Sequence, residues 1–209
     1  MSDDHPEAPR QARSRAALER FLSAGAALLD EHAFERTSIA DIAERAESSV
    51  GTFYRLIGDR DRLLEMLHDR FLAESHALVA TRLEPPLFEG ASMATVLRAF
   101  VALLVEVYST REGILRALIV RSSGDVSFRE RVHALNEQLG QSLAALAEPR
   151  LAAIGHPTPL AALQFGAKVV LGALNHHVLV GSLETHRPAV LVEELTRVLV
   201  RYLGVEDAR

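Results

Sequence analysis

The chain has 209 residues, 48% of them hydrophobic and 24% charged, with 23 Lys+Arg against 28 Asp+Glu and a formal net charge of -5. Such a composition fits one sizeable core, or a small domain joined to a larger one, and excludes disorder as the main state. Cysteine is absent, so no disulfide framework, thiolate zinc site, iron-sulfur cluster or cysteine nucleophile is available, and a cytoplasmic location fits.

Residues 1–12 are acidic and Pro-containing with no apolar stretch of the secretory kind, and are expected to be a disordered tail. From Ser14 to Ala33 the residues Leu18, Phe21, Leu22, Gly25, Leu28 and Leu29 form one stripe at helical spacing. Ser38 then precedes a short helix as its N-cap with Asp41 three residues on, and Ile39, Ile42, Ala43 and Ala46 share its inner face. A third short helix starts near Ser49, with Phe53 and Ile57 inward, and ends at Gly58. Asp59 caps a fourth helix carrying Leu63, Leu64, Leu67, Phe71 and Leu78, which stops before Pro85 and Pro86. Residues 84–90 read as a linker.

Further helices are expected from about Ser92 to Tyr108, near Gly113 to Val120, after Ser127, from Pro159 to Gly181 and from Pro188 to Leu203. Ser127 with Glu130 has the form of a capping box, and Pro159 and Pro188 stand at first helical turns, with Thr158 as a cap. The stretch Leu160 to Val180 is apolar enough to need a membrane check. Gln164, Lys168, Asn175, His176 and His177 interrupt it throughout, so a buried or interfacial helix is expected and no membrane partner. The fold class is all-α.

Residues 37–57, T-S-I-A-D-I-A-E-R-A-E-S-S-V-G-T-F-Y-R-L-I, have the form of a helix-turn-helix, in which the second helix can enter a major groove. With Phe53 and Ile57 facing the core, Ser49, Val50, Thr52, Tyr54 and Arg55 are left outward. They are types that touch phosphates, base edges and thymine methyls. Gly51 permits close approach.

From about Arg20 to Leu64 the chain resembles the TetR (tetracycline-repressor) family of bacterial transcription regulators. The likeness lies in F-L-x-A-G-x-x-L-L, F-E-R-T-S-I-A-D-I-A-E-R-A, V-G-T-F-Y-R and G-D-R-D-R-L-L. It implies a helix-turn-helix DNA-binding domain over 13–58 and a larger helical effector-binding and dimerisation domain over 59–209, with 59–83 as the connecting helix. It further implies a homodimer on a palindromic double-stranded DNA operator, released by a small effector, with no cofactor. By the same likeness Thr37 and Ser38 would touch phosphate, and Ser49, Val50, Thr52 and Arg55 would face the groove. Tyr54 would bond a phosphate, and Arg60 would take the place of a phosphate-binding lysine.

The chain departs from the family pattern at Glu47, where the turn usually has glycine, and at Ser48, where an apolar residue is usual. Ala33 replaces a common glycine, and Leu56 and Ile57 replace a frequent aromatic pair. If position 47 is left-handed, a glutamate there costs about 1 kcal/mol. Between residues 10 and 62 nine Arg face nine Asp+Glu, so no strong basic footprint exists. Arg10, Arg13 and Arg15, and Arg55, Arg60 and Arg62, are the local basic clusters.

In the carboxy-terminal part, Gly166 and Ala173 among other small residues, and Leu191, Leu195, Val198 and Tyr202 in a row on the last helix, suit close helix packing. Two readings stay open: burial within one monomer, and the dimer interface that the family builds from its last two helices. An effector pocket among helices 92–181 is expected to be mainly aliphatic and to take a hydrophobic or amphipathic ligand. Arg116, Gln164, Lys168, Asn175 and His176 are the polar groups able to orient it, or else are satisfied interior groups.

Nothing in the sequence supports an enzyme. His176 and His177 point about 100° apart, and His133 with Glu137 lacks a third ligand, so no metal site is expected. No Gly-rich phosphate loop, H-E-x-x-H or G-x-S-x-G is present. A helical ligand-binding or scaffold dimer that has lost sequence-specific DNA binding is the alternative.

Overall fold

Apolar residues three and four apart wind into nine helices among the described residues, which in the computed structural model are 7–181 and 187–205. These are α1 (Glu7–Asp30), α2 (Ile39–Arg45), α3 (Val50–Leu56), α4 (Arg60–Arg82), α5 (Met93–Thr110), α6 (Glu112–Gly124), α7 (Val126–Ala147), α8 (Pro159–Val180) and α9 (Pro188–Leu203). The contacts divide the chain between Phe71 and Leu72, inside α4. Helix α1 begins at Glu7, so the tail expected over 1–12 is helical from that residue on. Residues 1–6 of that tail lie outside the described residues.

In the first unit α1 lays Phe21, Leu22, Leu28 and Leu29 against Ile42 of α2, Phe53 of α3 and Leu63 of α4, all buried. The rings of Phe21 and Phe53 meet edge to face at 5.4 Å, the favoured geometry for an aromatic pair. Gly25 lets α4 approach α1, since a Cβ there would stand 3.0 Å from Leu67 Cδ1 and 3.3 Å from Leu63 Cδ2. Helices α2, α3 and α4 each start at a cap. Ser38 and Asp41 form a reciprocal capping box on α2, the Ser49 hydroxyl accepts from the Thr52 N–H on α3, and Asp59 accepts from the Arg62 N–H on α4.

The second unit is built around α5. Val96, Leu97, Phe100 and Val101 of this helix are completely buried, against α9, α8, α7 and α6. Although α5 is long and apolar enough to cross a membrane, this burial accounts for its composition. Leu163, Val170, Leu174 and Val178 of α8 and Leu199 and Leu203 of α9 complete the core. The segment before α8 is tied to the end of α9, with Gly155 N–H donating to Gly204 O at 3.2 Å and His156 N–H to Leu203 O at 3.1 Å.

Three local expectations change. Asp125, rather than Ser127, is the N-cap of α7, accepting from the Ser127 and Phe128 N–H groups, because the helix starts one residue before Ser127. Thr158 stands at the N-cap position of α8 without a side-chain cap bond. Residues 84–90 are no loose linker: Pro85–Phe88 forms a 3-10 turn with Phe88 buried. The Arg150 guanidinium holds this stretch, donating from Nε to Ala91 O at 2.6 Å and from Nη2 to Phe88 O.

Candidate nucleic-acid interface and ligand cavity

Helices α2 and α3 are joined by a turn whose shape follows from the end of α2. Ser48 N–H bonds back to Ala43 O and Glu47 N–H to Glu44 O, both at 2.9 Å, a Schellman motif. The motif requires a left-handed residue, and Glu47 supplies it with φ +47°. The glycine-free turn therefore keeps the backbone shape that a glycine would give, at a steric cost. The same motif ends α1, where the left-handed residue is His32 (φ +52°), one position before Ala33.

Side chains missed in the sequence lock this arrangement. Arg20 Nε donates to Ala46 O at 2.9 Å, fixing α1 to the turn. Arg45 and Glu31 form a two-pronged ion pair between α2 and the end of α1. That hydrogen-bonded pairing holds the Glu31 carboxyl below its usual range. A carbonyl acceptor or an acid on a neighbouring helix is a tertiary partner, and no spacing along the chain marks it.

On α3, Phe53 is buried while Ser49, Val50, Gly51, Tyr54 and Arg55 are exposed and Thr52 is half-buried. Val50 and Tyr54 are large apolar groups left 40% and 54% exposed on one edge. A Cβ on Gly51 would meet only Ser49 Oγ at 4.0 Å, so packing within the unit does not require this glycine. Residues 48–58 carry Arg55 and no acid. The expected phosphate contacts are less free than α3. Thr37 is half-buried with its hydroxyl donating to Ala33 O at 2.8 Å, and the Ser38 hydroxyl donates to Asp41 Oδ2 at 2.7 Å. Arg60 donates from Nη1 to Glu35 O at 2.7 Å and from Nη2 to Thr37 O, so part of its guanidinium braces the turn before α2. The Arg10 side chain lies outside the described residues, and Arg62 pairs with Glu65 at 2.8 Å.

The second unit holds a cavity of about 760 Å³ between α5, α7 and α8, within the size range of small-molecule sites. Phe100, Leu139, Ala144, Ala167 and Leu171 form its apolar wall. Polar groups come from α7 (His133, Asn136, Glu137, Gln141) and from α8 (Gln164, Lys168, Asn175). Half of the lining residues thus carry polar side chains, while apolar surface makes up the larger part of the wall. Three expected residues meet there: Gln164, Lys168 and Asn175. Arg116 is turned away, donating to Leu179 O at 3.0 Å and pairing with Glu112 at 3.4 Å. His176, one step round the helix from Asn175, is exposed and does not line the cavity. The Tyr108 hydroxyl donates to Asn175 Oδ1 at 2.5 Å, and burial pushes the Tyr108 phenol above its ordinary pKa range.

The residues expected at a dimer interface fall into two groups. Gly166 and Leu191 are buried within the unit, and a Cβ on Gly166 would stand 2.7 Å from Leu199 Cδ2, so this glycine serves the packing of α9 on α8. Ala173 and Leu195 are half-buried. Val198 and Tyr202 are exposed on α9, and beside them α8 exposes Phe165 (57%) and Val169. The rings of Phe165 and Tyr202 lie 5.8 Å apart, so these residues form one continuous apolar face across α8 and α9. The i, i+4 pair Phe165 and Val169, opposite the buried stripe of α8, was the signal available in the sequence.

A three-helix core, a tight turn and an outward third helix with a glycine on its exposed side have the form of a helix-turn-helix domain, joined to a larger helical unit. Residues 21–67 match the family model described as bacterial regulatory proteins, tetR family. This domain is therefore similar to the helix-turn-helix domain of the tetR family of bacterial regulatory proteins. The sequence matches no curated protein at a significant level. Among solved structures, a transcriptional regulator from Rhodococcus sp. Rha1 is similar in fold, with a TM-score of 0.68 and 20% identity over 90% of this chain and 96% of that one. The TetR family regulator PfmR from Thermus thermophilus has a TM-score of 0.64 and 18% identity over 91% and 97%. Salmonella enterica GusR has a TM-score of 0.64 and 19% identity over 90% and 95%.

Proposed function

We propose that the protein is a homodimeric, ligand-responsive regulator of transcription, not an enzyme, that binds a palindromic operator through α3 and leaves it when a small effector fills the cavity of the second unit. The observation that carries this reading is the exposed side of α3, where Val50, Tyr54 and Arg55 surround a glycine that packing within the unit does not need. An exposed glycine in a helix costs stability and earns its place where another backbone must come close. Thr52 and Arg55 would read base edges while Tyr54, Thr37, Ser38 and Arg60 would set the register on phosphates.

The exposed face of Phe165, Val169, Val198 and Tyr202 supports pairing with a second copy, which gives the two half-sites their two-fold relation. Coupling to the effector has a covalent route, since α4 continues from the helix-turn-helix unit into the second. There Arg82 pairs with Glu106 of α5 at 2.6 Å, and α5 contributes Phe100 to the cavity wall. If ligand favours one spacing of the two recognition helices and operator the other, each weakens the other's binding by the same factor. Such a regulator works in the cytoplasm, where the chromosome is.

The test is selection of the purified protein on a pool of random duplex DNA at physiological salt. The expected outcome is enrichment of a palindrome with half-sites about one helical turn apart. A second reading, a helical ligand-binding dimer without sequence-specific DNA binding, is favoured by the neutral charge balance and the partial engagement of Arg60. Folded, ligand-free protein that enriches no sequence would establish it in place of the first.

A further inference from the structure

We propose that the cavity between α5, α7 and α8 selects an amphipathic organic anion, with a single carboxylate held by Lys168 and the Asn175 amide and an apolar body lying on Phe100, Leu139 and Leu171. This rests on the reading of that cavity as the effector site and names the class of effector it takes.

The polar groups of the cavity are unequal in what they offer. Lys168 is the one Lys or Arg side chain lining it, and no ion pair ties it down among the described residues. Asn175 lies seven residues further along α8, about 10 Å along the axis and on the same face, a distance the flexible lysine stem can close. The amide of Asn175 is oriented from behind. Its Oδ1 already accepts the Tyr108 hydroxyl at 2.5 Å, so the NH2 end is the one left for a ligand. Tyr108 is only 9% exposed, and its raised pKa keeps it protonated, and therefore a donor, throughout the physiological range. It acts as a positioning residue that makes Asn175 a fixed donor.

An ammonium and an amide N–H2 that can both reach one carboxylate would hold its oxygen pair, and charge-assisted bonds of this kind are the strong ones. Lys168 is the one Lys or Arg among the lining residues, which suits a ligand with one acidic group. Glu137, across the cavity on α7, disfavours a second anion and accepts from a hydroxyl or amide N–H of the ligand. The wall of Phe100, Leu139 and Leu171 buries an apolar body, the contribution that scales with area removed from water.

Octanoate, 1-octanol and octylamine share one chain length and differ in head group. Titration of each into the full-length protein, read by the amide resonances of Gly140 and Gly172, which line the cavity, tests the proposal. The expected result is that octanoate shifts both resonances and binds at least about tenfold more tightly than the other two. Lys168→Met should remove that preference without weakening octanol. Tyr108→Phe should weaken octanoate several-fold while leaving octanol unchanged, which a merely structural role would not do. Equal or tighter binding of octanol or octylamine at these resonances would overturn the anion assignment and leave the effector cavity standing. Failure of all three to move them would overturn both.

Discussion

His32 and Glu47 hold left-handed conformations that the two Schellman motifs demand and that a Cβ disfavours. Replacing either by glycine relieves the strain, so Glu47→Gly should stabilise the protein by about 1 kcal/mol. The denaturant midpoint measures it, and an unchanged midpoint would mean that the glutamate is not strained. Gly51 presents the reverse case. With open space at its Cβ, Gly51→Ala should raise stability by up to about 1 kcal/mol. At the same time it should weaken operator binding about tenfold, close to 1.4 kcal/mol. Loss of stability, or unaltered affinity, would remove the argument that this glycine serves an external surface. At Gly166 the added methyl would stand 2.7 Å from Leu199 Cδ2, and Leu199 is packed in the core at 1% exposure, so the added volume must be taken up there. Gly166→Ala should therefore cost about 1–3 kcal/mol by overpacking, as read in thermal unfolding.

At the scale of the element, the capping box of α2 links helix stability to pH. Hydrogen bonds from the Ser38 hydroxyl and N–H hold the Asp41 carboxyl below its ordinary pKa. A carboxyl depressed in the folded state contributes stability that is present above its ordinary value and is lost as pH falls through the folded value. Ser38→Ala should move the Asp41 titration back up toward the ordinary carboxylate value, followed by carbon NMR of the side chain. It should also cost about 1 kcal/mol of stability at neutral pH. An unmoved Asp41 titration would show that the hydroxyl is not what depresses it. Helix α8 illustrates a second property of elements, because it is apolar on two faces. One stripe enters the core through Leu163, Val170 and Leu174, and the other leaves Phe165 and Val169 outside.

For the whole molecule, that second stripe is where the proposed pairing with a second copy is tested. A charge placed on it meets solvent in a monomer and would be buried without a partner in a dimer. Phe165→Glu should therefore yield folded monomers in sedimentation velocity and abolish palindrome binding, since two half-sites need two recognition helices. A dimer that survives this substitution would place the interface elsewhere. The Phe165 ring is 57% exposed, so loss of folding is not expected to confuse the result.

By itself the sequence determined the helical fold, most helix ends and the helix-turn-helix. All of these follow from local rules: apolar spacing, a serine or aspartate three residues before its amide partner, and glycine or proline at an end. Ser38 with Asp41, Asp59 and the Pro188 start were legible for that reason, and so was the outward set on α3. Tertiary structure alone decided what depends on which helices meet. It brought Gln164, Lys168 and Asn175 into one cavity with α7 and turned Arg116 and His176 away. It buried Gly166 and Leu191 while leaving Phe165 exposed, and assigned Arg20, Arg45, Arg60 and Arg150 to partners far along the chain. A residue's spacing says which side of its helix it occupies, but whether that side meets a core, a cavity or water is set by elements that the spacing does not describe.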